Sequence, residues 1–405
     1  MDKRCIKIAG AGIAGLTAAI NLAKAGVSVC LVEQDKLPKE KVCSGALRVT
    51  VIKRFPYLEP IVREITLSVI RKATFYSPKL HKVTASNGQD IAFLVHRYDF
   101  SNALLKLCRE AGVKHFFGQR VRRIVREKEY IITFLSSGRQ IRTKAIIGCD
   151  GINSLVAREL GLNTRVSADY FALASEQELE FETGLPDDEA LFYYGFQDRL
   201  GYGWVFSKGK LINVGVGFSN TAKGIGLKKA HQSFINFLKK QKVLPNNFPL
   251  EGIRAWVLPN GRLLNKTFGE RVLICGDAAG FVHPIIGEGM YYALISGELA
   301  AKTIIQSVKL NDYSEDKLSQ YQELWQKEFE PEFKDMVFLQ KFLAKHLDIV
   351  DLAIKIFEKD THSHQLFLDL IAGRISYRKF KSRIWPKILY LLAKTGRKKL
   401  LWPKS

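Results

Sequence analysis

Residues 5–33 read CIKIAGAGIAGLTAAINLAKAGVSVCLVE, and the order of elements in this stretch decides the fold. Residues 5–8 predict a short strand that runs into Gly10-Ala-Gly12-Ile-Ala14-Gly15. Leu16, Ala19, Ile20 and Ala23 then recur at helical spacing, and residues 27–32 predict a second buried strand ending at Glu33. Strand, glycine turn, helix, strand and an acid about 20 positions on form a dinucleotide-binding fingerprint. In that setting Gly10 makes the tight turn, Gly12 admits a pyrophosphate, and Gly15 lets the helix pack against the strand. Glu33 would bond a ribose hydroxyl and repel a 2′-phosphate. Three glycines alone would be a tight turn and nothing more. Lys3 and Arg4 ahead of an apolar stretch could also pass for a signal peptide, but a strand–turn–helix unit fits those residues better.

A second stretch, GDAAGFVHPIIGEGM at 276–290, has an equally definite character. It follows an apolar run, 271–275, that predicts a strand, and precedes a small-residue pattern, 291–305, that predicts a helix beginning near Glu288. Asp277 at the strand end can reach a ligand hydroxyl, and the glycines let backbone N–H groups approach a flat or phosphorylated ligand. The helix start offers a positive dipole end to negative charge.

The chain of 405 residues is long enough for two or three structural units, and 47% hydrophobic residues make it globular. No apolar run approaches the roughly 20 residues that span a bilayer. Six cysteines (5, 30, 43, 108, 149 and 275) lack CxxC spacing, so they read as mostly reduced core residues of a cytosolic protein, with no support for a metal. The net charge of +22 favours a polyanionic partner: nucleic acid, an anionic membrane surface or phosphorylated substrates.

Between these landmarks, the loop Lys41-Val-Cys43-Ser44-Gly45-Ala46-Leu47 is built of small residues, and taken alone Cys43 reads as a packed thiol. Residues 65–92 predict short antiparallel strands in a separate layer. Arg97 stands at the start of a predicted helix capped by Asp99 or Ser101; it would bond a phosphate or ribose there, or be a solvated charge. A strand at 144–148 leads into Asp150-Gly151, either a close approach to a ligand or a plain turn. Segments 176–181, 191–195 and 211–218 predict an antiparallel sheet, interrupted by a helix at 228–240. Its aromatic residues (Phe192, Tyr193, Tyr194, Phe196, Tyr202, Trp204 and Phe206) either fill a core or line an apolar pocket with Tyr202 and Trp204 in its wall.

Beyond Asp312 the chain reads helical. From Gly373 onward there is no acid and there are eleven Lys and Arg, half of the excess charge. Trp385, Ile388, Leu389 and Leu392 share one helix face among them, which suits a membrane interface. A solvated basic tail or a packing helix is the alternative. Nucleic acid is the weaker reading, because no nucleic-acid motif accompanies the charge.

Together these motifs resemble the FAD-dependent geranylgeranyl reductases, within the para-hydroxybenzoate-hydroxylase-like flavoproteins. The resemblance covers about residues 1–310 and rests on Gly10-x-Gly12-x-x-Gly15 with Glu33, the Lys41-x-Cys43-x-Gly45-Ala46-Leu47 loop, and Arg97. It continues through Asp150-Gly151 with Ser154, Tyr202-Gly-Trp204-Val-Phe206, and Gly276-Asp277 with Gly287-Glu-Gly289. The Cys loop and the aromatic stretch narrow it from the superfamily to the reductases. Ser44 stands where that loop usually has Gly, and Ser207 where the aromatic motif usually ends in Pro.

The resemblance implies an α/β chain (α+β overall): a Rossmann-type FAD-binding domain at 1–60, 95–165 and 265–310, an antiparallel-sheet substrate domain at 61–94 and 166–264, and a basic, membrane-facing helical region at 311–405. FAD would lie with its ADP half on Gly10, Gly12, Ala14, Gly15 and Glu33, its ribityl and pyrophosphate region at Asp277, and its isoalloxazine against 284–290. Gly45, Ala46, Arg97, Asp150, Gly287, Gly289 and Met290 complete the implied cofactor set. Cys43, Tyr202 and Trp204 would stand at the reacting bond, Cys43 as a proton relay or cation stabiliser. The implied reaction is hydride transfer from reduced flavin to a C=C bond of a polyprenyl lipid. The external electron donor, NAD(P)H or a reduced protein, stays open, since no second glycine fingerprint is present. The implied location is cytoplasmic and peripherally membrane-associated. A flavin monooxygenase or halogenase-like enzyme, and a non-catalytic flavin-containing lipid-binding protein, are the alternatives.

Overall fold

The computed structural model describes residues 5–36, 41–162, 171–219, 226–261 and 263–394. The chain divides into two compact units: Met1–Lys41, His96–Leu173 and Trp256–Met336 in the first; Val42–Val95, Ala174–Ala255 and Val337–Ser405 in the second.

The first unit is organised on a six-stranded sheet in the order Phe268–Gly269, Val272–Ile274, Ala145–Gly148, Ile6–Ala9, Val29–Glu33, Lys114–Phe117. Every pairing is parallel except that of the first two strands. Ile6–Ala9 lies at its centre and is buried throughout, Lys7 included. Helices Ile13–Lys24 and Met290–Leu310 pack through small residues: a Cβ on Gly297 would lie 2.4 Å from the Ala14 carbonyl oxygen. The helix expected near Glu288 starts at Met290. Helix Arg97–Glu110 has no side-chain cap, contrary to the expectation for Asp99 or Ser101; the Ser101 hydroxyl instead donates back to the Arg97 carbonyl at 3.1 Å. A three-stranded antiparallel sheet (Val121–Arg126, Ile131–Leu135, Gln140–Thr143) completes this unit.

The sheet of the second unit has its strands in the order Phe171–Glu180 (from Ala174 on), Leu211–Ser219, Gly201–Lys208, Glu189–Tyr194, Lys72–Tyr76, Lys82–Ser86. One pairing, Lys72–Tyr76 with Glu189–Tyr194, is parallel, so residues 72–86 extend this sheet instead of forming their own layer. The aromatic residues divide by strand alternation. Tyr193 turns to helix Leu227–Lys240, with its ring 5.6 Å from Phe234, and joins a core with Val205 and Val214. Phe192, Tyr202, Trp204 and Phe206 share the opposite face: Phe192 is paired with Trp204, and its ring lies 5.4 Å from Phe206 and 4.9 Å from Phe75. Both faces of the sheet therefore carry packed aromatic rings. Glycine makes room for these rings, since a Cβ on Gly215 would lie 2.1 Å from Trp204.

The division departs from the expected three parts, most of all at residues 42–60, 256–264 and 311–405. Residues 42–60 fall in the second unit because Ala46–Arg48 pairs with Ala92–Val95 there. The helical region does not stand apart: residues 311–336 fall in the first unit, where Trp325 and Phe329 pack on Phe281 with centroids 5.0 Å away. Residues 337–394 fall in the second, where the Phe367 ring lies 4.5 Å from Phe75. In helix Tyr377–Lys394, Phe380 and Ile384 are buried and Lys387 is paired with Asp360, so this part of the basic region packs on its unit. Arg374 is likewise paired with Asp369, at 3.3 Å. Arg397, Lys398, Lys399 and Lys404 lie outside the described residues. Among the described residues, no helix is long and apolar enough to cross a membrane.

Candidate active site

In the first unit the glycine turn is held by sterics. Gly10 has φ +98°, and a Cβ there would lie 2.2 Å from the Cys149 carbonyl oxygen; a Cβ on Gly15 would lie 2.0 Å from the Gly10 oxygen. Gly12 differs: it has ordinary φ (−73°) and a Cβ there would meet nothing within 4 Å among the described residues. The space in front of Gly12, at the N-terminus of helix Ile13–Lys24, is thus open to a ligand. Glu33 accepts from the Ala11 amide at 2.8 Å and the Asp35 amide at 3.1 Å, which ties the end of its strand to the turn.

Asp277 sits directly after strand Val272–Ile274 in a single 3-10 turn. Its Oδ2 accepts from Lys41 Nζ at 2.7 Å, and Gly289 lies beside it, where a Cβ would be 3.6 Å from Oδ1. The loop before helix Met290–Leu310 is closed locally: Gly287 N–H donates to the His283 carbonyl and His283 N–H to the Glu288 carbonyl. Met290 is buried at the helix start. Asp150 borders the Gly10 turn through its backbone, but its carboxylate accepts from Ser154 Oγ (2.6 Å) and Val156 N (3.0 Å). It organises the helix Leu155–Glu159, and burial raises its pKa. Arg97 is buried, which excludes the solvated-charge reading, and its guanidinium donates to Ser101.

In the second unit the strand Phe171–Glu180 sorts its polar residues by face. Ser175 and Gln177 turn to helix Leu227–Lys240 and hold the buried His231 on both ring nitrogens, at 3.1 and 3.2 Å. Glu176 and Glu178 turn the other way. Both Glu176 oxygens accept from the Cys43 amide at 2.9 Å, and Oε2 accepts from Asn213 Nδ2 at 3.3 Å. Asn213 Oδ1 accepts from the Trp204 indole at 2.7 Å. An indole can only donate and a carboxylate only accept, so these partners settle which way the Asn213 amide points. Glu178 accepts from Lys208 at 2.6 Å, and both side chains are almost fully buried. Burial raises the Glu176 pKa; the Cys43 and Asn213 hydrogen bonds and Arg254, 3.5 Å away, work against it, and the nearby Glu178 with it.

Gly45 has φ +74°, and a Cβ there would lie 1.9 Å from the Val95 oxygen, so the Cys43 loop cannot take another residue at this point. Ala46 opens the strand that follows. The Gly45 amide donates to Cys43 Sγ at 3.4 Å. Ser207 is accommodated: its hydroxyl donates to Asp187. Tyr202 lies 5.8 Å from the Trp204 ring and is half-buried, whereas Trp204 is buried.

The family model for the FAD binding domain matches residues 4–323. The chain belongs to that FAD-binding family. FAD is its cofactor, and the open approach at Gly12, with Glu33 behind it, fits such a group. The digeranylgeranylglycerophospholipid reductase of Methanococcus vannielii is 28% identical to this flavoprotein over 395 residues, covering 90% of this chain and 98% of the other. The enzyme of the same name from Methanocaldococcus jannaschii is 28% identical over 348 residues, covering 85% and 87%. The solved structure of a geranylgeranyl bacteriochlorophyll reductase-like protein from Thermoplasma acidophilum superposes with a TM-score of 0.82 at 21% identity, over 96% of this chain and 99% of that one. The resemblance read from the motifs is borne out, and so is the mixed fold with its Rossmann-type part. Sequence reasoning did not single out Glu176, Asn213 or the Glu178–Lys208 pair in this flavoprotein. The available signal was two acids spaced two apart in a strand whose intervening residues face a helix.

Proposed function

We propose that this flavoprotein reduces carbon–carbon double bonds in a polyprenyl lipid chain of the geranylgeranyl type. The observation that carries the reading is that the Cys43 loop and the Tyr202–Trp204 strand, far apart in sequence, are joined in one unit by the Glu176–Asn213 link. The names of the relatives that match nearly the whole chain support the same chemistry. When bound and reduced, FAD supplies a hydride donor. The second carbon of the bond then needs a proton, and Cys43 is the residue proposed to pass it or to steady positive charge there. Tyr202 and Trp204 would exclude water and present aromatic surface to an electron-poor centre.

Gly10, Gly12, Ala14, Gly15 and Glu33 are proposed to hold the ADP half, and Asp277 the ribityl and pyrophosphate region. Gly287, Gly289 and Met290 are proposed to border the isoalloxazine. For Asp150 and Arg97 the buried hydrogen bonds favour a supporting role over a direct one, and for Gly45 and Ala46 a role in shaping the Cys43 loop. The first unit is the proposed FAD-binding domain and the second the substrate domain. An anionic membrane surface, reached through the basic C-terminal residues, is the proposed source of the lipid.

The test is anaerobic incubation of the reduced, FAD-loaded protein with geranylgeranyl lipids, followed by mass spectrometry. A gain of two hydrogens per reduced bond is expected; no hydrogenated product from any prenyl lipid would reject the reading.

A further inference from the structure

The polar residues under the Cys43 loop are too specific to be incidental. Glu176 is 1% exposed, and its acceptor capacity is consumed by the Cys43 amide on both oxygens, Asn213 on Oε2 and Arg254 near Oε1. Burying a carboxylate is costly unless hydrogen bonds and charges compensate. The neighbouring Glu178 also accepts from Asn213 Nδ2, at 2.9 Å, and pairs with Lys208, which is in turn held by the Val95 carbonyl.

We propose that Glu176 is the positioning residue of the Cys43 loop: its carboxylate holds Cys43 and, through Asn213, the Trp204 ring in one fixed arrangement. This rests on the reading of the protein as a prenyl-chain reductase with Cys43 at the reacting bond. Glu176 touches no reacting atom and acts through its hydrogen bonds. The ionised form is the one the arrangement requires, since two oxygens must both accept. Protonation, or replacement by an amide, puts a donor opposite the Cys43 N–H or the Asn213 Nδ2. The groups that set its charge are Glu178, Arg254, the Cys43 amide and Asn213, with Lys208 one step away on Glu178. Because burial raises the carboxyl's pKa, activity should fall on the acid side as Glu176 takes up a proton.

The test compares wild type with Glu176→Gln, both FAD-loaded, in two assays: prenyl-lipid reduction, and iodoacetamide alkylation of Cys43 followed by peptide mass spectrometry. Misplacing a reacting group by about 1 Å costs on the order of 10²-fold. The expected result for Glu176→Gln is therefore a kcat loss of that order, KM within about threefold, and loss of the acid-side inflection of kcat. Cys43 alkylation should quicken roughly tenfold once the loop is released and the thiol more accessible. Unchanged kcat and alkylation, within about twofold at full FAD content, would overturn the proposal. If neither protein reduces any prenyl lipid but alkylation still quickens, the reductase reading fails and the positioning by Glu176 stands. Should Glu176→Gln not fold, wild type alone carries the test. Its Cys43 alkylation rate against pH should show a second, acid-side inflection, and a single thiol titration would overturn the proposal.

Discussion

A methyl group on Gly15 would lie 2.0 Å from the carbonyl oxygen of Gly10, so the first helix of this flavoprotein rests directly on the backbone of its own entry turn. A Cβ on Gly12, between them, would meet nothing within 4 Å among the described residues, and its backbone angles are ordinary. The three glycines of one motif thus have separable reasons. Gly12→Ala should leave the apoprotein folded, with Tm within about 2 °C of wild type, and lower FAD affinity at least roughly tenfold. Gly15→Ala should fail to give soluble, folded protein. Thermal melts of apoprotein and flavin absorbance after gel filtration check both; FAD retention by Gly12→Ala would remove Gly12 from the cofactor site.

Lys7 points from the central strand into the apolar packing of Cys5 and Cys30, fully buried, with no hydrogen-bond partner for its ammonium among the described residues. Burial pulls its pKa down to about 8 from 10.5, with the two thiols opposing. Because the folded value lies below the unfolded one, the charged form costs stability in full below pH 8, and stability recovers as pH rises from 8 towards 10.5. Lys7→Met should therefore stabilise the apoprotein at pH 7 by about 2 kcal/mol, with the gain shrinking at pH 10. Urea unfolding at the two pH values measures it, and destabilisation at both would show that the ammonium has a function in the fold.

His231 is held neutral between Ser175 and Gln177, and burial lowers its pKa to about 4. Its contribution to stability is complete above the ordinary value of 6.5 and lost as pH falls from 6.5 towards 4, where the unfolded chain takes the proton first. His231→Gln should flatten the stability profile in that window, by about 2–3 kcal/mol between pH 7 and 4 relative to wild type. Parallel wild-type and variant profiles from denaturant titrations would exclude this residue as the cause.

The membrane proposal can be separated from the fold. Ending the chain at Gly373 would strip buried Phe380 and Ile384 from the second unit, so it tests folding more than binding. Ending it at Lys394 removes four cations (Arg397, Lys398, Lys399 and Lys404) and leaves those contacts. At roughly 1 kcal/mol per cation near an anionic leaflet, binding to phosphatidylserine vesicles should weaken at least about tenfold at low salt, with FAD content unchanged. Sedimentation with vesicles measures this, and unaltered binding would remove these cations from the argument.

Much of the flavin-binding half was legible in the sequence because its information is local. Gly10–Gly15 and Glu33 lie within one strand–helix–strand unit, where steric demands on glycine leave a mark at fixed spacing. The antiparallel sheet was legible for the same reason, through alternation. The capping of helix Arg97–Glu110 was misjudged, since Ser101 hydrogen-bonds within the helix. Charge counts also do not reveal that Lys387 and Arg374 of the basic region have acidic partners.

By itself, then, the sequence determined the dinucleotide turn, the strands and the identity of the loop around Cys43. Only the tertiary structure decided what that loop rests on. Cys43 and Glu176 are 133 residues apart, and Glu176 sits in a strand whose alternation looks the same whichever face is buried. Placing Leu211–Ser219 beside that strand brings Asn213 between Glu176 and Trp204, and burial then makes each hydrogen bond obligatory. Such a network is a property of neighbours in space, and no spacing along the chain encodes it.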